Sequence, residues 1–168
     1  MADKDYLRIC IADAIIELLK TKPLNKITAD EISEKSGVGR ATFFRYFSDK
    51  EEPIRFKIHK LWEEYSNRKN MIVKDSFYLP NAKDFFAFHI EVRPLIEMLY
   101  TSGNKKIVLD ALLEYAENVS EKDKYKEKFL LYGLFGITDA CISSGYEKSV
   151  DEMVDFMYGL TSKINVEK

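Results

Sequence analysis

The chain has 168 residues and an apolar share of 46%, which is ordinary for a globular protein with a sizeable core. Four prolines and seven glycines leave little room for disorder. The net charge is −2, but residues 1–60 hold 12 Lys or Arg against 10 Asp or Glu, and residues 61–168 hold 14 against 18. This asymmetry agrees with a nucleic-acid-binding surface in the N-terminal part and predicts weak sequence-independent binding.

Export and membrane signals are missing from the sequence. The N-terminus MADKDYLR lacks the apolar segment of a secretory signal, and the most apolar window, Phe129 to Ile142, is interrupted by Asp139. We therefore expect a cytoplasmic protein with no membrane partner. Its two cysteines, Cys10 and Cys141, are expected to be reduced core side chains, with a redox sensor as the alternative.

The first predicted helix covers about Lys4 to Lys20 and ends before Pro23, which cannot continue it. Its apolar residues recur at helical spacing and predict a face that packs on the next elements. These residues are Ile11, Ala14, Ile15, Leu18 and Leu19.

The segment Ile27 to Lys50 then predicts two short helices joined by a tight turn. Thr28 is a candidate N-cap, and Glu31 three residues later completes a capping box. Gly37 ends the helix that follows, because glycine tolerates the left-handed conformation common at helix C-termini. Val38 is expected to fill the gap between the helices. This layout is typical of a helix-turn-helix, which places its second helix in the DNA major groove.

The second helix of this segment carries two kinds of side chain. Phe43 and Phe47 are four residues apart and are expected to face the core. Arginine can bond guanine with two hydrogen bonds, a threonine methyl can touch the thymine methyl, and tyrosine or lysine suits phosphate oxygens. The outward residues with this chemistry are Arg40, Thr42, Arg45, Tyr46 and Lys50.

Further helices follow along the chain. Ser48 and Glu51 predict a second capping box, which opens a helix from Asp49 to about Lys69. The later segments have helical spacing of apolar residues, with Pro94 in the first turn of one helix and Gly103 as its stop. Their expected spans are Asn81 to Glu91, Pro94 to about Thr101, Lys105 to Asn118, Lys124 to Ser144, and Val150 to Ile164.

The last two helices are apolar over more than one stripe. A monomer needs one buried face per helix, so the surplus predicts a two-fold symmetric homodimer, although the two helices could instead fill the monomer's centre. The expected interface residues are Phe129, Tyr132, Phe135, Gly136, Met153, Phe156, Met157 and Leu160.

Aromatic residues with a few polar groups on the core helices are typical of a small-molecule pocket, and equally of an ordinary core. The candidate ligand-binding residues are Trp62, Tyr65, Phe85, Phe88, His89, Tyr115 and Tyr132.

The stretch from Ile11 to Lys50, including Ile27-Thr28, Gly37-Val38, Thr42-Phe43 and Tyr46-Phe47, resembles the N-terminal domain of the TetR family of transcriptional repressors. The resemblance implies a palindromic operator, a dimer formed by the last two helices, and a regulatory cavity for an unknown small-molecule effector. It implies phosphate contacts for Thr28 and Lys50. The full set of expected DNA-binding residues is Thr28, Gly39, Arg40, Ala41, Thr42, Phe44, Arg45, Tyr46 and Lys50.

Three positions depart from the family pattern. Gly39 replaces the usual Ser or Thr and removes a side-chain cap, although glycine is itself an acceptable N-cap. Phe44 replaces a usual Tyr, which puts one hydroxyl contact to DNA in doubt. Pro53 stands inside the fourth helix, near its start, where it removes one backbone donor and is expected to bend the helix.

The sequence thus predicts an all-α protein of about nine helices. Residues 1–50 form a three-helix helix-turn-helix DNA-binding domain, and residues 51–168 form a helical ligand-binding and dimerisation domain. The expected function is a homodimeric transcriptional regulator, most simply a repressor released from a double-stranded DNA operator by a small molecule. The alternative is a helical dimeric interaction protein that has lost specific DNA binding.

An enzyme is the main rival from another class of protein. The sequence contains only two histidines, His59 and His89, and none of the common catalytic or phosphate-binding motifs. His59 and Glu63 lie four residues apart and could hold a metal, but such a pair is more often structural. We therefore expect no enzymatic activity, no cofactor and no metal.

Overall fold

The computed structural model describes residues 4–71, 82–114 and 121–164, and these residues contain helices, turns and no strand. No helix in these ranges is long and apolar enough to cross a membrane. A short 3-10 turn at Leu24–Lys26 lies between the first two helices. The helices are α1 Lys4–Leu19, α2 Ala29–Ser36, α3 Arg40–Tyr46, α4 Glu52–Arg68, α5 Ala82–Glu91, α6 Arg93–Thr101, α7 Lys105–Glu114, α8 Glu121–Ser143 and α9 Val150–Ile164. The predicted all-α class with about nine helices is confirmed.

The chain divides into two compact units. The first, unit 1, comprises Met1–Arg68 and Pro94–Ala111, and the second, unit 2, comprises Lys69–Arg93 and Leu112–Lys168. This division follows compactness and does not test the functional boundary expected at residue 50, which stays a prediction.

Unit 1 is built around the packing of α1 against α2, α3 and α4. The apolar stripe predicted on α1 lies in its core, where Ile11 and Ile15 are fully buried. Ion pairs tie α1 to α4 at the edge of this core: Lys57 Nζ lies 2.8 Å from Asp13 Oδ1. Large side chains from every helix of this group complete the core, including Ile32, Phe43, Phe47 and Ile54.

Unit 2 is built around the packing of α5 against α8 and α9. Its core is formed by buried residues from all three helices and from the end of α7. The larger members are Phe85, Phe86, Leu112, Leu131, Leu134, Met153 and Met157.

Met153 and Met157, expected at the dimer interface, are 3% and 9% exposed and belong to the core of unit 2. They stand four residues apart and therefore mark the inward face of α9. Helical periodicity locates an apolar stripe but does not tell which of two stripes the protomer buries itself.

The start of α4 differs from the sequence-based expectation. The helix begins at Glu52 instead of Asp49, and Asp49 Oδ1 accepts hydrogen bonds from the amides of Glu51 and Glu52, both at 2.7 Å. Glu52 Oε2 accepts from the amide of Ser48 at 2.7 Å, so the predicted partnership of Ser48 with Glu51 is wrong.

Pro53 is consequently the second residue of α4 and lies in its first turn. Amides in a first turn have no acceptor within the helix, so proline costs no intrahelical hydrogen bond there. The bend that was expected from a proline further inside the helix has no physical basis at this position.

Candidate nucleic-acid interface

The helix-turn-helix begins with the predicted capping box at α2. Thr28 Oγ1 accepts a hydrogen bond from the amide of Glu31 at 3.3 Å, and Glu31 Oε2 accepts from the amide of Thr28 at 2.9 Å. Glu31 also pairs with Lys22 across the preceding turn. The Lys22 ammonium and the Thr28 donors lower the pKa of the Glu31 carboxyl to about 2. A carboxylate is thus held at the positive end of α2.

The turn between α2 and α3 is closed by glycine and two serines. Gly37 ends α2 with φ 67°, in the left-handed region that favours glycine. The hydroxyl of Ser33 donates to the carbonyl of Val38 at 2.7 Å, and the amide of Val38 donates to Ser36 Oγ at 3.1 Å. Val38 is buried between the helices, as predicted. These contacts fix the direction in which α3 leaves the turn.

Helix α3 has one buried face and one exposed face. Phe43 lies in the core, as does Phe47 directly after the helix, each 2% exposed. The other residues of α3 face outward, as expected from the sequence. A seven-residue helix that buries the side of Phe43 presents its remaining side chains to solvent. Exposed positions are Thr28, Gly39, Arg40, Ala41, Phe44 and Arg45, and half-buried positions are Thr42, Tyr46 and Lys50.

The start of α3 carries no side-chain cap. Gly39 is its N-cap and makes no side-chain hydrogen bond, while its carbonyl accepts from the amides of Thr42 at 2.8 Å and Phe43 at 3.1 Å. The backbone therefore supplies the first turn of the helix without the hydroxyl that is usual at this position.

Two arginines on the exposed face have intramolecular partners. Arg40 Nη1 lies 3.2 Å from Asp30 Oδ1, and its guanidinium is 5.8 Å from the centre of the Phe44 ring. Arg45 stacks over the ring of Tyr46 at 4.9 Å. The Asp30 contact was not predicted, because it joins two helices across a turn and no local spacing rule identifies it. Exposed ion pairs of this kind are weak, so Arg40 can exchange Asp30 for an acceptor on DNA.

Lys50 lies after α3, at the edge of the exposed surface of the helix-turn-helix. Its ammonium donates to the carbonyls of Leu24 and Ile27, each at 2.9 Å. These carbonyls precede α2, so the lysine ties the segment after α3 to the entry of α2. An ammonium has three donors, and two hydrogen bonds leave one for a phosphate.

The expected dimer interface is divided between exposed and buried positions. Outside the protomer core, Phe135 is half-buried and Gly136 is exposed. A methyl group built on Gly133 or Gly136 meets no atom within 4 Å, so packing inside the protomer does not require glycine there. The exposed large side chains are Phe129, Tyr132, Phe156 and Leu160, at 60%, 52%, 53% and 46%.

The expected ligand-binding residues that the structure describes are divided between the two units. Tyr65 is buried in unit 1 beside half-buried Trp62, with ring centres 5.7 Å apart. Phe85, Phe88 and His89 are buried in unit 2. Tyr132 is exposed, and Tyr115 lies outside the described residues. Which of them contact an effector stays a prediction.

His89 lines a small cavity in unit 2. The cavity offers about 10 Å³, which is room for roughly one water molecule. His89 Nδ1 lies 2.9 Å from the carbonyl of Phe85, and burial lowers the pKa of the imidazole to about 4. The other lining residues are Phe86, Ile90, Thr138, Cys141, Ile142, Tyr146 and Met153.

His59 and Glu63, the candidate metal-binding pair, each make a polar contact within unit 1. His59 Nε2 lies 2.8 Å from the carbonyl of Ala111, and Glu63 Oε2 accepts from Lys60 at 2.8 Å. Within the described ranges, no group of three or more His, Cys, Asp or Glu side chains is placed to hold a metal ion.

The fold and this surface define a helix-turn-helix DNA-binding protein. Residues 11–52 match the family model described as "Bacterial regulatory proteins, tetR family". The match runs from the middle of α1 to the start of α4, so this part of the chain is similar to the DNA-binding domain of these proteins, which supports a DNA-binding transcriptional regulator.

The chain was also compared with solved structures and with curated proteins. The solved structure of a "Clostridium perfringens putative fatty acid metabolism regulator" is similar, with a TM-score of 0.49 and 23% identity, over 89% of this chain and 95% of that chain. No curated protein matches the chain.

Proposed function

We propose that the protein acts as a cytoplasmic homodimer that binds a palindromic operator and represses transcription until a small-molecule effector releases it. The observation that carries the DNA-binding part is the division of α3. Phe43 and Phe47 anchor the helix in the core, while Arg40 and Ala41 are exposed and Thr42 is half-buried. A short helix held in this way presents its first residues to base edges.

Support for the dimer comes from the apolar surface of α8 and α9. Phe129, Tyr132 and Gly136 recur at helical spacing along α8, and all three are exposed in the protomer. Phe156 and Leu160 form a second exposed pair, four residues apart on α9. Exposed aromatic side chains beside glycines favour close packing of a second copy, because a glycine lets another helix approach.

The cavity at His89 is the place where we expect an effector to bind. Space for one water is far less than a metabolite needs, since ligand pockets usually measure several hundred Å³. A ligand that enters between α5, α8 and α9 must therefore displace side chains. Binding coupled to displacement is the kind of event that shifts a protein between two conformations.

The first test is a selection of bound sequences from a random duplex pool at about physiological salt, where non-specific binding is weak. We expect the full chain to recover a palindrome. Arg40→Gln and Thr42→Val are expected to lose affinity for it while retaining the fold and the dimer, because each removes one base contact. Lys20→Gln is the matched control, since Lys20 is an exposed cation in the turn after α1, outside the helix-turn-helix.

A folded dimer that recovers no sequence, with or without candidate metabolites, would contradict this proposal. That result would favour the alternative of an interaction protein that has lost specific DNA binding. The uncapped start of α3 at Gly39 and the missing hydroxyl at Phe44 are the features that favour this alternative.

A further inference from the structure

An open groove of about 310 Å³ lies beside the recognition helix in unit 1. Its lining combines apolar and polar residues. The apolar residues, called the apolar wall, are Ile27, Ala29, Phe43 and Phe44, and the polar residues, called the rim, are Ser48, Asp49 and Lys50. A groove with this composition suits a ligand that joins an apolar group to an anion.

Phe44 is the exposed part of the apolar wall. Its ring is 54% exposed, whereas the neighbouring ring of Phe43 is 2% exposed. The two rings meet edge to face, with centres 4.9 Å apart and planes at 69°. Phe43 therefore supports Phe44 from inside, so that contact with a ligand costs little conformational entropy. A supported aromatic ring facing solvent favours burial against a partner.

The rim of the groove favours an anion. Lys50 is held by the carbonyls of Leu24 and Ile27 and keeps one donor for another acceptor. Asp49 is the opposing charge, but its Oδ1 accepts from the amides of Glu51 and Glu52 at 2.7 Å. Two amides at the start of α4 thus compensate the carboxylate and leave the Lys50 ammonium as the charge available to a ligand.

We infer that this groove receives one deoxyribose of the DNA backbone, packed on Phe44, with the adjoining phosphate on Lys50. The sugar is the apolar unit of DNA that always stands next to a phosphate, and protein contacts to sugar and phosphate fix the register of a helix in the groove. The inference rests on the proposed DNA binding and assigns to Phe44 a role that needs no hydroxyl. Phe44 is a positioning residue here, because a sugar carries no base sequence.

The test compares Phe44→Ala with wild-type protein on the selected operator and on a random duplex. Loss of the ring is expected to weaken binding about five- to ten-fold on both duplexes, because the apolar contact is sequence-independent. The salt dependence should stay unchanged, whereas Lys50→Met should reduce its slope by about one phosphate contact per protomer. Phe44→Leu is expected to fall between alanine and wild type, and Phe44→Tyr to retain full affinity.

Two controls test whether Phe44 contacts the sugar or a base, and whether loss of any exposed aromatic ring lowers the affinity for DNA. Tyr6→Ala removes an aromatic ring that is 60% exposed on α1 and should leave affinity unchanged. Duplexes with deoxyuridine in place of thymidine lack the thymine methyl and should bind wild-type protein equally well. A deoxyuridine penalty in wild type that disappears in Phe44→Ala would overturn the sugar assignment in favour of the methyl group.

Other outcomes also decide the inference. Unchanged affinity of a folded Phe44→Ala would overturn it while leaving the proposed DNA binding intact. A wild-type protein that binds no duplex would overturn both.

Discussion

At the scale of single residues, charge is placed by backbone amides as much as by opposite charges. Glu31 illustrates this, because the amide of Thr28 and the ammonium of Lys22 both act on its carboxylate. The same device holds Asp49 at α4 and Glu152 at α9, where the amide of Ser149 donates to Glu152 Oε2 at 2.8 Å. The Thr28 box could be predicted from spacing, whereas the contribution of Lys22 could not, because it crosses a turn.

The pH dependence of Glu31 follows from its lowered pKa. The folded value of about 2 lies below the ordinary 4.5, so this carboxylate contributes stability above pH 4.5 that is lost as the pH falls towards 2. We expect Glu31→Gln to flatten this part of the stability profile, measured by urea denaturation from pH 5 to 2. Glu34→Gln, in the same helix, is the control for charge. Parallel profiles for wild type and Glu31→Gln would contradict the assignment.

His89 should produce a loss of stability as the pH falls below 6.5, in a range that lies above that of Glu31. Burial lowers its folded pKa to about 4 from an ordinary 6.5, so the unfolded chain binds the proton first. Stability is therefore complete above pH 6.5 and falls by roughly 1.4 kcal/mol per pH unit as the pH drops towards 4. His89→Gln should remove this slope in denaturation experiments. His59→Gln serves as the second-histidine control, and a slope that survives in His89→Gln would refute the effect.

At the scale of helices, the sequence predicts where most helices lie, but it predicts less well which face of a helix is buried. The spans of α2 and α6 follow from a cap and from glycine or proline signals, which act within one turn. The start of α4 was misplaced because Asp49 and Glu52 compete with Ser48 and Glu51 for the same amides. Which apolar stripe the protomer buries depends on packing between distant segments, and this is why the spacing alone does not show that Met153 and Met157 lie in the core of unit 2.

The exposed residues Phe129, Tyr132 and Gly136 of α8 are expected to form the contact between two copies of the chain. Phe129→Glu is expected to convert a dimer into a monomer, because a buried charge without a partner costs several kcal/mol. Analytical ultracentrifugation over a range of protein concentrations measures this change. Tyr6→Glu is the matched control, since Tyr6 and Phe129 are both 60% exposed and Tyr6 lies on α1. A Phe129→Glu protein that remains dimeric would place the interface elsewhere.

At the scale of the whole molecule, one recognition helix of seven residues touches too few bases to specify a site in a genome. Two copies related by a two-fold axis read two half-sites and make the second contact intramolecular. The surplus of apolar residues on the last two helices predicts a second copy, whereas the palindromic arrangement of half-sites comes from the family resemblance, because spacing within one chain carries no information about the DNA.

Dimerisation should therefore appear directly in operator affinity. We expect Phe129→Glu to bind the full palindrome roughly 100-fold more weakly than wild type, and no more tightly than it binds a duplex with one half-site. Arg40→Gln should instead weaken binding to both duplexes, since it removes a contact that each half-site makes. Fluorescence anisotropy titrations at one salt concentration measure the affinities of the three proteins for both duplexes. Equal affinity of Phe129→Glu and wild type for the palindrome would mean that one protomer reads the operator alone, and the α8 stripe would then serve another partner.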